Sequence, residues 1–168
     1  MSKAFTREDD QPDLPVVSRR VSSLPPGTQN LMTPDGERRL REELAGLKIA
    51  RDQLLATRGN PDKPQQLVAL EQRAMLVDEM LRSASVVPPP ASADGRVRFG
   101  ATVSVREQDG SVTRHRIVGV DEVDFDRGWV SWRSPIGKAL LNATVGQRVR
   151  LKVPSGEKDL TIVAVAYE

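Results

Sequence analysis

The chain has 168 residues, with 25 Lys plus Arg, 23 Asp plus Glu, one His and no Cys. Charged residues make up 29% and aromatics 4%, which disfavours one large core and favours a long solvated helical element beside a compact domain. The net charge of +2 lacks the basic excess of a protein whose main partner is duplex nucleic acid, and the absence of cysteine excludes disulfides, thiolate metal sites and a cysteine nucleophile.

Residues 1–30 are polar and contain Pro12, Pro15, Pro25, Pro26 and Gly27 without a lasting period, so a disordered tail is expected there. The opening stretch carries Arg7, Glu8, Asp9 and Asp10 and no apolar core of a signal peptide. No apolar run approaches a membrane span, so the expectation is a cytoplasmic protein with no membrane partner.

At Thr33-Pro34 the pattern changes. Thr33 suits an N-cap and Pro34 the first helical position, and Asp35 and Glu37 then favour the helix dipole. Leu40, Leu44, Leu47 and Leu54 form a heptad seam with Arg51 in one slot, and the pattern stops at Arg58-Gly59-Asn60-Pro61. A second seam runs through Leu67, Leu70, Ala74, Val77 and Leu81 and fails at Val86-Val87-Pro88. Two stripes separated by a short Gly/Pro turn predict an antiparallel helical hairpin over residues 31–87, with arms of about 20–25 residues reaching about 30–37 Å. Leu44, Leu47, Leu70 and Val77 should pack inside it, with residues 60–64 at the far end.

Residues 88–94 read as a linker, and 95–168 as a β-rich domain. Val103 and Val105 alternate with polar residues, Asp109-Gly110 marks a turn, and Ile117, Val118 and Val120 follow. Val130 and Trp132 make a short strand, Ser134-Pro135 opens a short helix with Ala139, Leu140 and Leu141, and Val149, Leu151 and Val153 alternate. After a turn at Pro154-Ser155-Gly156-Glu157, Leu160, Ile162 and Val165 complete the fifth strand. The fold class is α+β: an N-terminal antiparallel coiled coil followed by an antiparallel β-domain.

The residues offer little for catalysis. His115, between Arg114 and Arg116, reads as a surface residue, and the acids of Asp121-Glu122-Val123-Asp124-Phe125-Asp126 as a solvated loop rather than a cation site. Arg38 and Arg41 share a helix face and are the candidate nucleic-acid contact. No metal or cofactor is expected.

Phe99-Gly100-Ala101-Thr102-Val103, Arg116-Ile117-Val118-Gly119, Ser134-Pro135-Ile136-Gly137-Lys138-Ala139-Leu140-Leu141, Val145-Gly146 and Val153-Pro154-Ser155-Gly156-Glu157 stand in the order and spacing of one family. On these residues the β-domain resembles the C-terminal domain of the GreA/GreB transcript-cleavage factors. The hairpin is similar to their coiled coil, from Leu31-Met32-Thr33-Pro34-Asp35-Gly36 through Leu40-Arg41-Glu42-Glu43-Leu44, and Met1–Glu8 resembles the leaders of some GreB-like proteins. The resemblance implies an FKBP-like β-domain that grips the rim of the RNA polymerase secondary channel while the coiled coil enters it. It assigns polymerase binding to Arg133, Ser134, Pro135, Ile136 and Gly137. It also implies two acids at the coiled-coil tip that help hold a second Mg²⁺ for transcript cleavage.

The tip departs from that pattern, which is close to Gly-Asp-x-x-Glu-Asn-x-x-Tyr. Here the tip is Asn60, Asp62 and Lys63 within Arg58-Gly59-Asn60-Pro61-Asp62-Lys63-Pro64, so one acid, Asp62, remains, and the arms look shorter by about two turns each, about 11 Å of reach. Arg133 stands where the family commonly carries Asp or Asn. The expectation is a monomeric, non-enzymatic elongation regulator that binds RNA polymerase at the channel rim, with RNA contact, but does not stimulate cleavage. Short-hairpin regulators of nucleoside diphosphate kinase are a nearby comparison. The alternatives are an active GreB-like cleavage factor using Asp62, or an FKBP-like prolyl isomerase or protein-interaction module.

Overall fold

The computed structural model describes residues 24–167 apart from Ala93 and Ser155. Most of the tail expected over residues 1–30 lies outside them. The described chain forms β1 (Asn30–Met32), α1 (Pro34–Ala56), α2 (Lys63–Ser83), β2 (Ala84–Val86), β3 (Ala101–Arg106), β4 (Val112–Val118), a 3₁₀ turn (Val120–Glu122), β5 (Trp129–Ser131), α3 (Pro135–Leu140), β6 (Arg148–Val153) and β7 (Gly156–Tyr167). This is a helical hairpin joined to a curled sheet.

Thr33 begins α1 as its N-cap: its Oγ1 accepts from Gly36 N at 3.0 Å, and Pro34, Asp35 and Glu37 fill the first turn. The hairpin core is concentrated at the end near the sheet, where Val77 is fully buried and Met32, Leu40 and Met80 join it. Leu44, Leu47, Leu76, Leu81 and Ala84 lie half-buried against them. Leu70 is half-buried further out and shares a groove with Leu47 and Ala74. Beyond that point the two helices have only each other to pack on. Arg73 Nε meets Glu43 Oε1 across the pair at 2.6 Å, a solvated bridge worth at most about 1 kcal/mol.

The five-stranded sheet has the order β5-β4-β3-β7-β6. Its β3–β4, β3–β7 and β6–β7 pairs are antiparallel, and a bulge lies between Ser104 and Val105 on β3. One pair differs from the expected antiparallel arrangement: β5 lies parallel to β4, with Ile117 opposite Val130. The strand expected at Val130 and Trp132 ends at Ser131, and Val120 lies in the 3₁₀ turn rather than in β4. Period-two alternation sends Ala101, Val103, Val105, Val149, Leu151, Leu160 and Ile162 into one core, closed by Ile117 and by Leu140 of α3. Arg148, Arg150 and Lys152 face outward between them.

A second sheet, absent from the sequence reading, ties the two parts together. β1 and β2 pair in parallel, Asn30 with Ala84 and Met32 with Val86, so the segments entering α1 and leaving α2 are clamped side by side. The 3₁₀ turn packs against this clamp through Glu122, whose side chain is only 2% exposed. Its Oε2 accepts from Thr33 N and from Gly119 N, each at 2.9 Å, and its Oε1 accepts a short bond from Thr33 Oγ1. Arg39 Nη2 stands 3.8 Å away. Next to it Asp121 accepts from Asn30 Nδ2 at 2.9 Å. Arg116, on β4, sits 3.7 Å from Asp35, and Arg39 lies 4.4 Å over the Trp129 ring, with Arg116 and Arg127 also near it. The acidic run expected to be a solvated loop is therefore partly a buried joint: only its Phe125-Asp126 end is exposed.

Two glycines make room for that carboxylate. A Cβ on Gly36 would overlap the Glu122 side chain, and one on Gly119 would overlap Leu31 O and Glu122. Gly46, in the middle of α1, faces open space. Gly46→Ala should therefore raise the unfolding free energy by about 0.5–1 kcal/mol, whereas Gly36→Ala on the same helix should lower it by about 1–3 kcal/mol. Glu122→Ala, which strands the Thr33 and Gly119 N–H groups in a buried joint, should cost about 2–4 kcal/mol. Urea unfolding of the three variants, compared at equal m-value, checks all three signs.

Candidate functional site

Three places carry the residues singled out by the sequence: the far end of the hairpin, the loop that opens α3 and the start of α1 with Arg38 and Arg41. At the tip, Thr57 N donates to Gln53 O and Leu54 O at 3.2 Å each, and Thr57 Oγ1 donates to Gln53 O at 3.0 Å. Gly59 reverses the chain at φ +73, a conformation that suits glycine. Asn60 organises the return: its Oδ1 accepts from Asp62 N at 2.9 Å and its Nδ2 donates to Gln66 Oε1 at 3.1 Å. Helix α1 has no basic residue in its own last turn, and Lys63 from α2 takes that place, its Nζ donating to Leu55 O at 2.7 Å and to Thr57 O at 2.9 Å. Asp62 is the N-cap of α2 but makes no side-chain cap bond, and it is exposed. Of the three expected tip residues, Asn60 and Lys63 thus build the turn, and Asp62 alone presents a carboxylate.

In the α3 loop, Ser134 is the N-cap. Its Oγ accepts from Gly137 N at 3.1 Å and donates to Ser131 O at 2.7 Å. Gly137 is buried, and a Cβ there would overlap Ser131 O. Ile136 packs on the sheet core. These three residues shape the loop. Pro135 is exposed at the first turn, and Arg133, half-buried, lies with its guanidinium 5.9 Å over the Trp132 ring.

Arg38 and Arg41 are exposed and already ion-paired: Arg38 with Asp35 and with Glu42 at 2.9 Å, Arg41 with Glu37 at 2.7 Å. The hydrogen bonds that Arg38 donates to Asp35, first, and to Glu42 hold its guanidinium above its usual range. A phosphate would have to displace these carboxylates. His115, expected at the surface, is half-buried with Nε2 3.2 Å from Thr113 Oγ1. Burial pushes its pKa below the usual imidazole value, with Glu107 acting in the opposite direction, so it is neutral at pH 7. Sequence reasoning missed Glu122, Asn30 and Arg39 as the residues that aim the hairpin. The Gly119 that precedes Glu122 by three positions is the one local hint of a cap.

The cap made by Lys63 predicts a local effect. Lys63→Ala should accelerate amide exchange around residues 53–66 while leaving the sheet strands protected, as measured by hydrogen–deuterium exchange.

Residues 92–167 match the family description "Transcription elongation factor, GreA/GreB, C-term". The chain is similar to transcription elongation factor GreB of Neisseria meningitidis serogroup B, with 31% identity over 155 residues, 83% of this chain and 95% of that one. It is similar to transcription elongation factor GreA of Alkalilimnicola ehrlichii, with 35% identity over 152 residues, 81% and 96% of the two chains. Among solved structures, the elongation factor GreA/GreB from Nitrosomonas europaea aligns at a TM-score of 0.42 with 21% identity, covering 83% of this chain and 99% of that one. With identity above 30% across four-fifths of its length, the chain belongs to the GreA/GreB family of transcription elongation factors.

Proposed function

We propose that this protein binds RNA polymerase at the rim of the secondary channel through the loop at Arg133–Gly137. The hairpin then enters the channel with Asn60, Asp62 and Lys63 leading, and transcript cleavage is not stimulated. It works as a monomer in the cytoplasm and is not itself an enzyme. Arg38 and Arg41, already neutralised by neighbouring carboxylates, are assigned no part in contact with RNA.

The observation that carries the reading is the chemistry of the tip. A divalent cation such as Mg²⁺ demands octahedral oxygen ligands and is usually held by one or two carboxylates that complement other oxygens. This tip offers Asp62, and the neighbouring ammonium of Lys63 is folded back onto the α1 carbonyls. The nearest acids along the helices lie turns away: Asp52 is paired with Arg51 at 2.8 Å, and Glu71 is on α2 beyond Leu70. The tip can therefore fill space near an active centre and compete for it, while adding little to metal binding. The rigid β1–β2 clamp and the Glu122 joint support insertion, because they fix the direction in which the hairpin projects.

The test uses backtracked elongation complexes of the source organism's polymerase. The expected result is transcript shortening within about twofold of the spontaneous rate, unchanged by Asp62→Ala. Added in excess, the protein should slow cleavage stimulated by an active GreB. Shortening well above background that disappears in Asp62→Ala would assign the protein to the cleavage-active class instead.

A further inference from the structure

The leucine seam does not use up the apolar residues of the hairpin. Leu55 on α1 is 53% exposed, and Val68 and Met75 on α2 are 52% and 73% exposed. Val68 and Met75 stand two helical turns apart and therefore share one face of α2, as Lys48 and Leu55 share one face of α1. The two faces meet at a groove. Its floor is Leu47, Leu70 and Ala74, and its walls carry Lys48 and Arg51 from α1 and Glu71 and Met75 from α2. Single exposed apolar side chains need no explanation, whereas three along one groove form a patch.

The extent of the patch follows from helix geometry. Met75 lies towards the sheet from Leu70, and Leu55 towards the tip from Leu47, so the patch runs about 20 Å along the hairpin. Two helices side by side make it about 20 Å wide. Its area of about 400 Å² is half of the ~800 Å² that each partner buries in a standard interface. A contact of this size holds with a dissociation constant above about 1 µM.

The charges choose the occupant. Arg51 is turned to Asp52 at 2.8 Å, which leaves one cation, Lys48, and one anion, Glu71, on opposite walls of an apolar floor. Glu71 repels a phosphate backbone, and the mixed signs suit no partner of uniform charge. They suit the same groove turned by a two-fold axis, because a self-complementary patch must offer both signs.

We infer that two copies of the chain pair through this groove, with α1 of one over α2 of the other and Lys48 of each facing Glu71 of its mate. A two-fold axis parallel to the hairpin gives this match. Lys48 follows Leu47 towards the tip and Glu71 follows Leu70 towards the sheet, so the two charges lie within about 3 Å of one level. Four helices around one apolar seam are an ordinary way for a two-helix hairpin to bury a second stripe. The pairing goes beyond the polymerase reading: the monomer is the form that enters the channel, and the pair is a reserve in which the flanks of the hairpins are covered.

The experiment is sedimentation equilibrium of the full chain from about 5 to about 500 µM, without polymerase. The mass of wild type should rise from one chain towards two. Met75→Glu, at an exposed site, should weaken pairing at least tenfold with an unchanged melting temperature. Lys48→Glu should weaken it at least fivefold, and Lys48→Glu combined with Glu71→Lys should restore it to within about twofold of wild type. A wild type that stays single at about 500 µM would overturn the pairing and leave the polymerase reading standing. A pair that survives Met75→Glu, is indifferent to Lys48→Glu, or is not restored by the charge swap would overturn the groove as its seat.

Discussion

A carboxylate buried among backbone amides holds the hairpin to the sheet, and much else in the molecule follows from it. Glu122 accepts from two N–H groups and one hydroxyl, with a guanidinium 3.8 Å off. Taking an isolated carboxylate out of water costs several kcal/mol, so this arrangement persists only because every short-range partner is in place. Three consequences are visible. Gly36 and Gly119 must lack side chains. Thr33 must serve α1 and Glu122 at once, donating to one and accepting for the other. The β1–β2 pair must bring the two ends of the hairpin together beneath the turn.

The other end of the hairpin is built on the opposite principle. No large core supports it, and local hydrogen bonds do the organising: Asn60 to Asp62 and Gln66, Lys63 to the last carbonyls of α1. A turn made this way holds its shape without a core behind it, and Asp62 is left exposed upon it. The loop before α3 divides its labour similarly, with Ser134 and Gly137 spent on shape, Pro135 left exposed and Arg133 half-buried beside Trp132.

What could be read in the sequence was local. Thr33-Pro34 announced the start of α1, Gly59-Asn60-Pro61 its end, and the leucine seams the hairpin, because caps and helical periods are set by neighbours a few residues apart. The Ser134 cap and the alternation in β6 were equally plain. The parallel pairing of β4 with β5 was not, since a three-residue strand carries no directional signal. Nor was the role of Glu122: four acids within six residues look solvated, and the partner that buries this one stands 89 positions away. Lys63 was read as a tip residue, but its role as a cap was not visible for the same reason, its acceptors lying across the turn. Of the loop residues expected to bind polymerase, Ser134, Ile136 and Gly137 shape the loop, Pro135 is exposed and Arg133 is half-buried.

On the proposed function, a hairpin aimed by the Glu122 joint delivers a cleavage-incompetent tip to the interior of the polymerase. Because the chain has no cysteine, Arg58→Cys places a single photo-crosslinker on an exposed residue of the tip. The measurement is crosslinking from that position in a stalled elongation complex, with transcript length read in the same reaction. The expected result is crosslinks to residues lining the channel near the active centre and transcripts of unchanged length. Crosslinks confined to the outer surface of the polymerase, or transcripts shortened wherever the tip reaches the centre, would contradict it.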